Sequence, residues 1–314
     1  MDPFTHAIIP YALCRAIRTE KMHRFAAVIG GISPDIDIFL GFIPMVAPGY
    51  YLLSHRGIFH SFALVWIMVL TGFFIFTRKP IRKLIRRFMK YDIELEISPR
   101  VIIFGYTGAV IHLLLDALTM DGPTLFYPLT EKRVSVNLFP YGSEILLIPL
   151  GAVIIIFSTR RPWQKMKPVF AGFLILVLVL ACTRVTFRMR APDCGEVYPA
   201  SNMNEWVVVE RGDGFIKATI YDSISGTSVI TKTFSDARSN TSLSSLLAKS
   251  DAIPEIRWWL WGNSVVSVTA ERDEPNRTWK VYYTSVIDEM NYIRSGGIYF
   301  WYGSNFTTTV EIKD

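Results

Sequence analysis

The chain has 314 residues, of which 51% are hydrophobic, and it carries a formal net charge of +6. Its apolar stretches of membrane length lie before about residue 184, and its basic residues cluster in the short segments between them. Membrane proteins distribute lysine and arginine in this way, so the composition favours a membrane protein and argues against a nucleic-acid partner. The three cysteines have no paired spacing, which argues against a zinc knuckle or a disulfide framework.

Six apolar segments predict helices that enter or cross a membrane, at residues 4–17, 25–46, 58–77, 101–119, 144–158 and 169–183. The first segment is short for a hydrocarbon core of about 30 Å, so it is a short span or an interfacial helix. The second contains Gly30, Gly31 and Pro34, which predict a break in its helix. Residues 78–90, between the third and fourth segments, form a strongly basic amphipathic stretch.

The basic residues between the segments predict the orientation of the chain. By the positive-inside rule, the basic loops at 18–24, 78–100 and 159–167 are cytoplasmic, and the poorly charged loops at 46–57 and 120–143 lie outside. With residues 4–17 counted as a span, both termini lie outside the cytoplasm.

This orientation gathers most of the histidines on the outer face. Five ionisable side chains fall there directly: His6, His55, His60, His112 and Asp116. The helix break would bring Asp35 and Asp37 toward the same side. His23 lies in a cytoplasmic basic loop, so we expect a solvated side chain there.

The chain changes character after residue 184. Short β-type runs separated by Gly, Asn, Asp and Pro turns predict a small all-β domain, with runs at 206–210, 215–221, 228–234, 265–268, 280–284, 297–301 and 308–312. Sequons at Asn240, Asn276 and Asn305 fit an external location. The sequence therefore predicts an α-helical multi-pass membrane domain over residues 1–183, followed by an extracytoplasmic β-rich domain over residues 184–314.

His112 and Asp116 lie four residues apart in the fourth apolar segment. On a helix this spacing places both side chains on one face, so both can reach one metal ion. The alternative is a histidine hydrogen-bonded by an aspartate inside a helix bundle. Ionisable residues near the end of a membrane span are costly and usually functional, which favours the metal site.

Asp35 and Asp37 follow Pro34 directly. Carboxylates in the first turn after a proline are also an ordinary helix-capping pattern, and taken alone the motif fits capping best. If both side chains point into a helix bundle that also contains histidines, a metal site with oxygen and nitrogen ligands is favoured.

His55 and His60 flank the dipeptide Arg56-Gly57. Imidazole is the commonest metal ligand among side chains, and arginine can bind a carboxylate or a phosphate through two parallel hydrogen bonds. The alternative is an interfacial loop whose arginine and histidines extend toward water.

Together the motifs predict a divalent-metal site, whose candidate ligands are His6, Asp35, Asp37, His55, His60, His112 and Asp116. Imidazole and carboxylate ligands without thiolate suit zinc best, with manganese or iron as alternatives.

Four motifs in this order resemble a known family: Thr5-His6, the Pro-Asp-Ile-Asp at 34–37, the His-Arg-Gly-x-x-His-Ser at 55–61, and the His-x-x-x-Asp-x-x-Thr at 112–119, followed by Gly122 and Pro128. Over roughly residues 1–160 the chain resembles the membrane-bound metal-dependent hydrolases, also described as LexA-binding, inner-membrane-associated hydrolases. A more distant likeness is to zinc-dependent phospholipases C and single-strand nucleases. The resemblance implies a multi-pass membrane hydrolase, and the distant likeness implies phosphoester hydrolysis.

We therefore expect a membrane-bound hydrolase that cleaves a phosphoester or another ester, with lipids among the candidates, by means of a metal-activated water. Arg56 would steady the anionic group, and Asp37 would accept the proton. Two alternatives remain open at this point. The cluster is a transit site of a transporter or metal-permeation protein, or it is a buried polar network of a non-catalytic membrane protein.

Overall fold

The computed structural model describes residues 3–89, 96–140, 147–158, 163–295 and 306–313. Its contacts divide the chain into two compact units, Met1–Val136 with Tyr141–Ala181, and Asn137–Pro140 with Cys182–Asp314. The predicted fold class is confirmed, since a helical region precedes a domain built on two antiparallel sheets.

The helices of the first part of the chain are α1 Pro3–Ala16, α2 Lys21–Ile32, α3 Phe42–Val46, α4 Val65–Phe76, α5 Lys79–Met89, α6 Pro99–Asp116, α7 Leu147–Ser158 and α8 Trp163–Arg188. Three short 3₁₀ helices connect α2 to α4, at Pro34–Leu40, Pro48–Leu53 and Ile58–His60.

Within the described ranges, three stretches are long and apolar enough to cross a membrane: Lys21–Val46, Pro99–Asp116 and Gln164–Arg188. A fourth is a bent pair, Pro48–His60 with Val65–Phe76, whose axes differ by 81°. The sequence predicted six segments. Helix α1 has 14 residues, about 21 Å of rise, which is shorter than a hydrocarbon core. The predicted segment at 144–158 begins outside the described residues.

The continuous helix predicted over residues 58–77 is broken in the structure. Ser61 accepts a hydrogen bond from Leu64 N through its Oγ at 3.2 Å, and its carbonyl accepts from Val65 N at 2.9 Å. Because a side-chain oxygen satisfies an amide that has no helical partner, Ser61 separates the His60 turn from α4.

The backbones of α2 and α6 pack in direct contact. A Cβ on Gly30 would lie 1.8 Å from Gly105 O, and a Cβ on Gly108 would lie 2.0 Å from Ala27 O. Small residues let membrane helices approach this closely. The apolar core around this crossing includes Ile29, Val69, Phe73, Val101 and Leu113. A second apolar cluster joins α1, α7 and α8 through residues that include Ile8, Ile154 and Phe170.

The C-terminal unit contains two antiparallel sheets. The first has the order β1–β2–β3–β4, with β1 Glu196–Pro199, β2 Glu205–Gly212, β3 Phe215–Asp222 and β4 Thr227–Ser235. The second has the order β5–β6–β7, with β5 Val266–Asp273, β6 Thr278–Ser285 and β7 Thr307–Lys313. Three helices that the strand pattern did not predict are α9 Ser244–Asp251, α10 Pro254–Gly262 and α11 Val286–Arg294. The strand predicted at 297–301 lies outside the described residues.

Candidate metal centre

The ends of the helices position the predicted site residues. His6 lies in the first turn of α1, and His60 lies in the 3₁₀ turn that precedes α4. His112 and Asp116 lie in the last two turns of α6. The beginnings of α1 and α4 therefore meet the end of α6 at one site.

Asp35 and Asp37 enter the site from the 3₁₀ helix that begins at Pro34. Proline has no amide hydrogen and its ring clashes with a preceding helical turn, so α2 ends just before it. A 3₁₀ helix has three residues per turn, and side chains two positions apart point in different directions. Asp35 and Asp37 accordingly contact different partners.

Four side chains converge on one point. Asp35, His60, His112 and Asp116 each offer one atom that lies within 4.8 Å of the other three. The Nε2 atoms of His60 and His112 are 3.3 Å apart. Asp35 Oδ1 lies 3.4 Å from His112 Nε2 and 3.8 Å from His60 Nε2. Asp116 Oδ2 lies 3.6 Å and 3.9 Å from the same two atoms.

These separations fit the ligands of one small divalent ion. Zinc binds nitrogen and oxygen at about 2.0–2.2 Å, so two ligands of a tetrahedral site lie roughly 3.3–3.6 Å apart. The five measured separations run from 3.3 to 3.9 Å, at this range or a few tenths of an ångström above it. The cluster thus fits a divalent cation in distance as well as in ligand chemistry.

The other ring nitrogen of each converging histidine faces an acceptor. His112 Nδ1 lies 2.7 Å from Gly31 O, and His60 Nδ1 lies 2.7 Å from Asp37 Oδ2. A carbonyl and a carboxylate can only accept, so each neutral ring carries its proton on Nδ1. The Nε2 lone pairs then face each other beside two carboxylate oxygens. With both rings neutral, this arrangement suits a cation between the four atoms, and backbone or carboxylate partners of this kind orient metal-bound histidines.

The charge of the cluster also favours the binding of a cation. Asp35, Asp37 and Asp116 contribute three negative charges, and Arg56 contributes one positive charge. These four groups therefore hold more negative than positive charge. Buried charge is stable only when it is paired or bound to metal, and one divalent ion would balance the cluster.

Arg56 contacts both carboxylate oxygens of Asp116. Its Nε lies 3.1 Å from Asp116 Oδ2 and its Nη2 lies 3.2 Å from Oδ1, while Nη1 donates to Thr119 Oγ1 at 2.9 Å. The residue is 3% exposed, and its backbone is left-handed, with φ of +65°. The sequence predicted that Arg56 contacts an anionic substrate. The structure instead places its guanidinium against internal acceptors.

Three further predicted ligands lie around the four converging side chains. His6 Nε2 lies 3.3 Å from Asp116 Oδ1, and the His6 ring stacks on His112 with centroids 3.7 Å apart. His55 Nδ1 lies 2.8 Å from Asp37 Oδ1, so His55 and His60 contact the two oxygens of one carboxylate. These contacts have hydrogen-bond length. Asp37, His55 and His60 also form a second group whose ligand atoms could hold a metal ion.

His23 contradicts the expectation of a solvated side chain. It is buried and stacks on Phe104, with ring centroids 4.7 Å apart. Its place at the start of α2 lies at the opposite end of that helix from Asp35. The other four histidines either converge on the candidate site or contact a residue that does.

Sequence reasoning missed two groups that shape the site. Gly31 O accepts from His112, and Thr119 Oγ1 accepts from Arg56 while donating to Asp116 O at 2.8 Å. The signal for Thr119 was its place at the end of the His-x-x-x-Asp-x-x-Thr motif. The contact of His112 with the backbone carbonyl of Gly31 could not be predicted from a pattern of side chains.

The first part of the chain is a helical membrane unit with a buried cluster of imidazoles and carboxylates. A profile of the YdjM inner membrane protein family matches residues 1–189, and the chain belongs to that family. No curated protein and no solved structure matches the chain.

Proposed function

We propose that the protein is a membrane-bound, metal-dependent hydrolase that cleaves a phosphoester or another ester. The observation that carries this proposal is the convergence of Asp35, His60, His112 and Asp116, with separations of 3.3–3.9 Å. The family resemblance of the motifs supports the same reaction class.

In this proposal three of the four residues are the metal ligands. His60, His112 and Asp116 are at most 1% exposed, whereas the Asp35 side chain is 24% exposed. Two histidines and one carboxylate are a ligand set of catalytic zinc sites, which keep a further position for water. Asp35 marks the open side of the cluster.

A divalent metal held there supplies Lewis acidity, which lowers the pKa of a bound water toward about 7 and stabilises charge that develops on an ester oxygen. Zinc suits the donor set best, and manganese and iron remain alternatives.

We assign proton transfer to Asp35 rather than to Asp37. Asp37 is fully buried, and its two oxygens contact His55 and His60. Asp35 is the carboxylate that water reaches, so it accepts the proton of the attacking water and returns it to the leaving alcohol. The water oxygen forms the new bond to phosphorus or to the carbonyl carbon, and the ester bond breaks.

Arg56 acts as a positioning residue in this proposal. Its paired hydrogen bonds fix both oxygens of Asp116, so that Oδ2 stays directed at the histidines. The loop charges of the sequence support an extracytoplasmic location for the cluster and the β-rich domain, and we include that orientation in the proposal.

The test is hydrolysis of bis(p-nitrophenyl) phosphate and of p-nitrophenyl acetate by the purified protein in detergent. We expect turnover that chelation abolishes and zinc or manganese restores. Asp35→Asn should lower the rate constant roughly 10²–10⁴-fold, the usual contribution of a general base, with the metal still bound. Asp193→Asn, at an exposed aspartate of the C-terminal unit, is the matched control. Turnover that persists in Asp35→Asn and after chelation would contradict the proposal.

A further inference from the structure

A group of exposed apolar side chains follows Asp35 directly in the chain. Ile38 is 60% exposed and Phe39 is 75% exposed on the same 3₁₀ helix, and Phe42 and Met45 on α3 are 62% and 73% exposed. We call Ile38, Phe39, Phe42 and Met45 the apolar ridge. A soluble surface rarely carries so many large exposed apolar side chains within eight residues.

The apolar ridge begins at the open side of the cluster. Side chains three positions apart lie on the same edge of a 3₁₀ helix, so Asp35 and Ile38 share one edge. Asp35 is also the most exposed of the four converging residues. The polar group that water reaches is thus bordered by an apolar surface.

The apolar ridge lies in a segment that is a candidate membrane span, so lipid would cover it. The ridge belongs to the candidate span Lys21–Val46, and the chain is a member of an inner membrane protein family. Exposed apolar residues of a membrane span face acyl chains. The open side of the cluster therefore borders lipid acyl chains on the side of the ridge.

We propose that the substrate is an amphiphilic lipid, whose ester or phosphoester lies at the cluster while its acyl chain lies along the apolar ridge. This inference rests on the proposed hydrolase function. Ile38 and Phe39 are then specificity-determining residues, because they contact the chain and take no part in bond cleavage. A water-soluble ester would lack this contact.

The test uses two hydroxamic acids that share a metal-binding head group and differ in chain length. Cobalt-loaded protein in nanodiscs is titrated with acetohydroxamic acid and with dodecanohydroxamic acid, and binding is followed by the visible spectrum of the cobalt. We expect Ile38→Ser/Phe39→Ser to weaken binding of the dodecyl compound about tenfold or more, since apolar contact is lost. Acetohydroxamic acid binding should stay within about twofold.

The matched control is Leu178→Ser/Val179→Ser, which replaces two exposed apolar side chains of another candidate span, on α8. It should change neither affinity, which separates ridge contact from simple partition into the bilayer. Ile38→Ala/Phe39→Ala serves if the serine variant does not fold. Equal losses for both compounds, or equal effects of the ridge and control variants, overturn the lipid inference alone. Failure of the wild-type protein to bind cobalt overturns the proposed function and the inference with it.

Discussion

His60 and His112 bring their Nε2 atoms to 3.3 Å from each other in the interior of a membrane protein. Each ring has its Nδ1 against an acceptor, Asp37 for His60 and Gly31 O for His112. The two lone pairs therefore face each other, beside oxygens of Asp35 and Asp116. In the proposed metal centre a divalent cation would lie between these atoms, with His60, His112 and Asp116 as its ligands and Asp35 at the open side.

Replacement of Arg56 should destabilise the protein, because Asp116 would keep a buried charge without its guanidinium. We expect Arg56→Ala to cost about 3–5 kcal/mol, measured by thermal unfolding in detergent. Arg100→Ala, at an exposed position in the first turn of α6, should be nearly neutral. If Arg56 contacted only substrate, its removal would raise KM and leave the melting temperature unchanged.

Gly108 should tolerate no side chain. A Cβ there would lie 2.0 Å from Ala27 O, so Gly108→Ala forces α2 and α6 apart near His112. Overpacking of this kind costs about 1–3 kcal/mol, and we expect metal affinity to fall as well. Gly172→Ala on α8 is the matched control, since nothing lies within 4 Å of its Cβ, and it should be neutral or stabilising. Equal melting temperatures for the two variants would contradict the close packing of α2 and α6.

Asp37→Asn should weaken metal binding without abolishing it. Asp37 orients His60 and contacts no other converging ligand in the cluster, and loss of such an outer partner typically lowers metal affinity about 10–100-fold. Competition with a chromophoric chelator measures the change. Loss of the metal as complete as in Asp116→Asn would contradict this prediction and would make Asp37 a direct ligand.

Cysteine labelling tests the proposed orientation. Cys194 is exposed in the C-terminal unit, so a membrane-impermeant maleimide should label it in cells whose outer envelope alone is opened. A chain with Lys83→Cys as its single cysteine, on the basic helix α5, should react only after the cytoplasmic membrane is permeabilised. The reverse pattern would place the β-rich domain in the cytoplasm.

Periodicity made the His112 and Asp116 pair predictable, since four residues on any helix put two side chains on one face. The roles of Asp35 and Asp37 were not predictable in the same way. Pro34 ends α2 and starts a 3₁₀ helix. That geometry directs Asp35 to the Nε2 atom of His112 and Asp37 to the Nδ1 atom of His60. From their spacing alone, Asp35 and Asp37 are equally good candidates for metal ligands.

Arg56 shows a second limit of the sequence. The substrate contact was predicted because arginine binds carboxylates and phosphates in pairs of hydrogen bonds. The structure gives that pairing to Asp116, on a left-handed backbone that arginine rarely adopts. In the C-terminal unit, alternation located most strands. The aromatic run of α10, which contains Trp258, Trp259 and Trp261, has no strand-like or strongly helical pattern, and its helix was missed.

Elemental analysis of the purified protein tests the metal centre most directly. We predict at least one divalent metal ion per chain in the wild-type protein and in His23→Gln, which alters the histidine that stacks on Phe104. His112→Ala and Asp116→Asn should lose the metal and melt at lower temperature, because each removes a converging ligand. Absence of stoichiometric metal from the wild-type protein, with melting unchanged by His112→Ala, would contradict the metal centre.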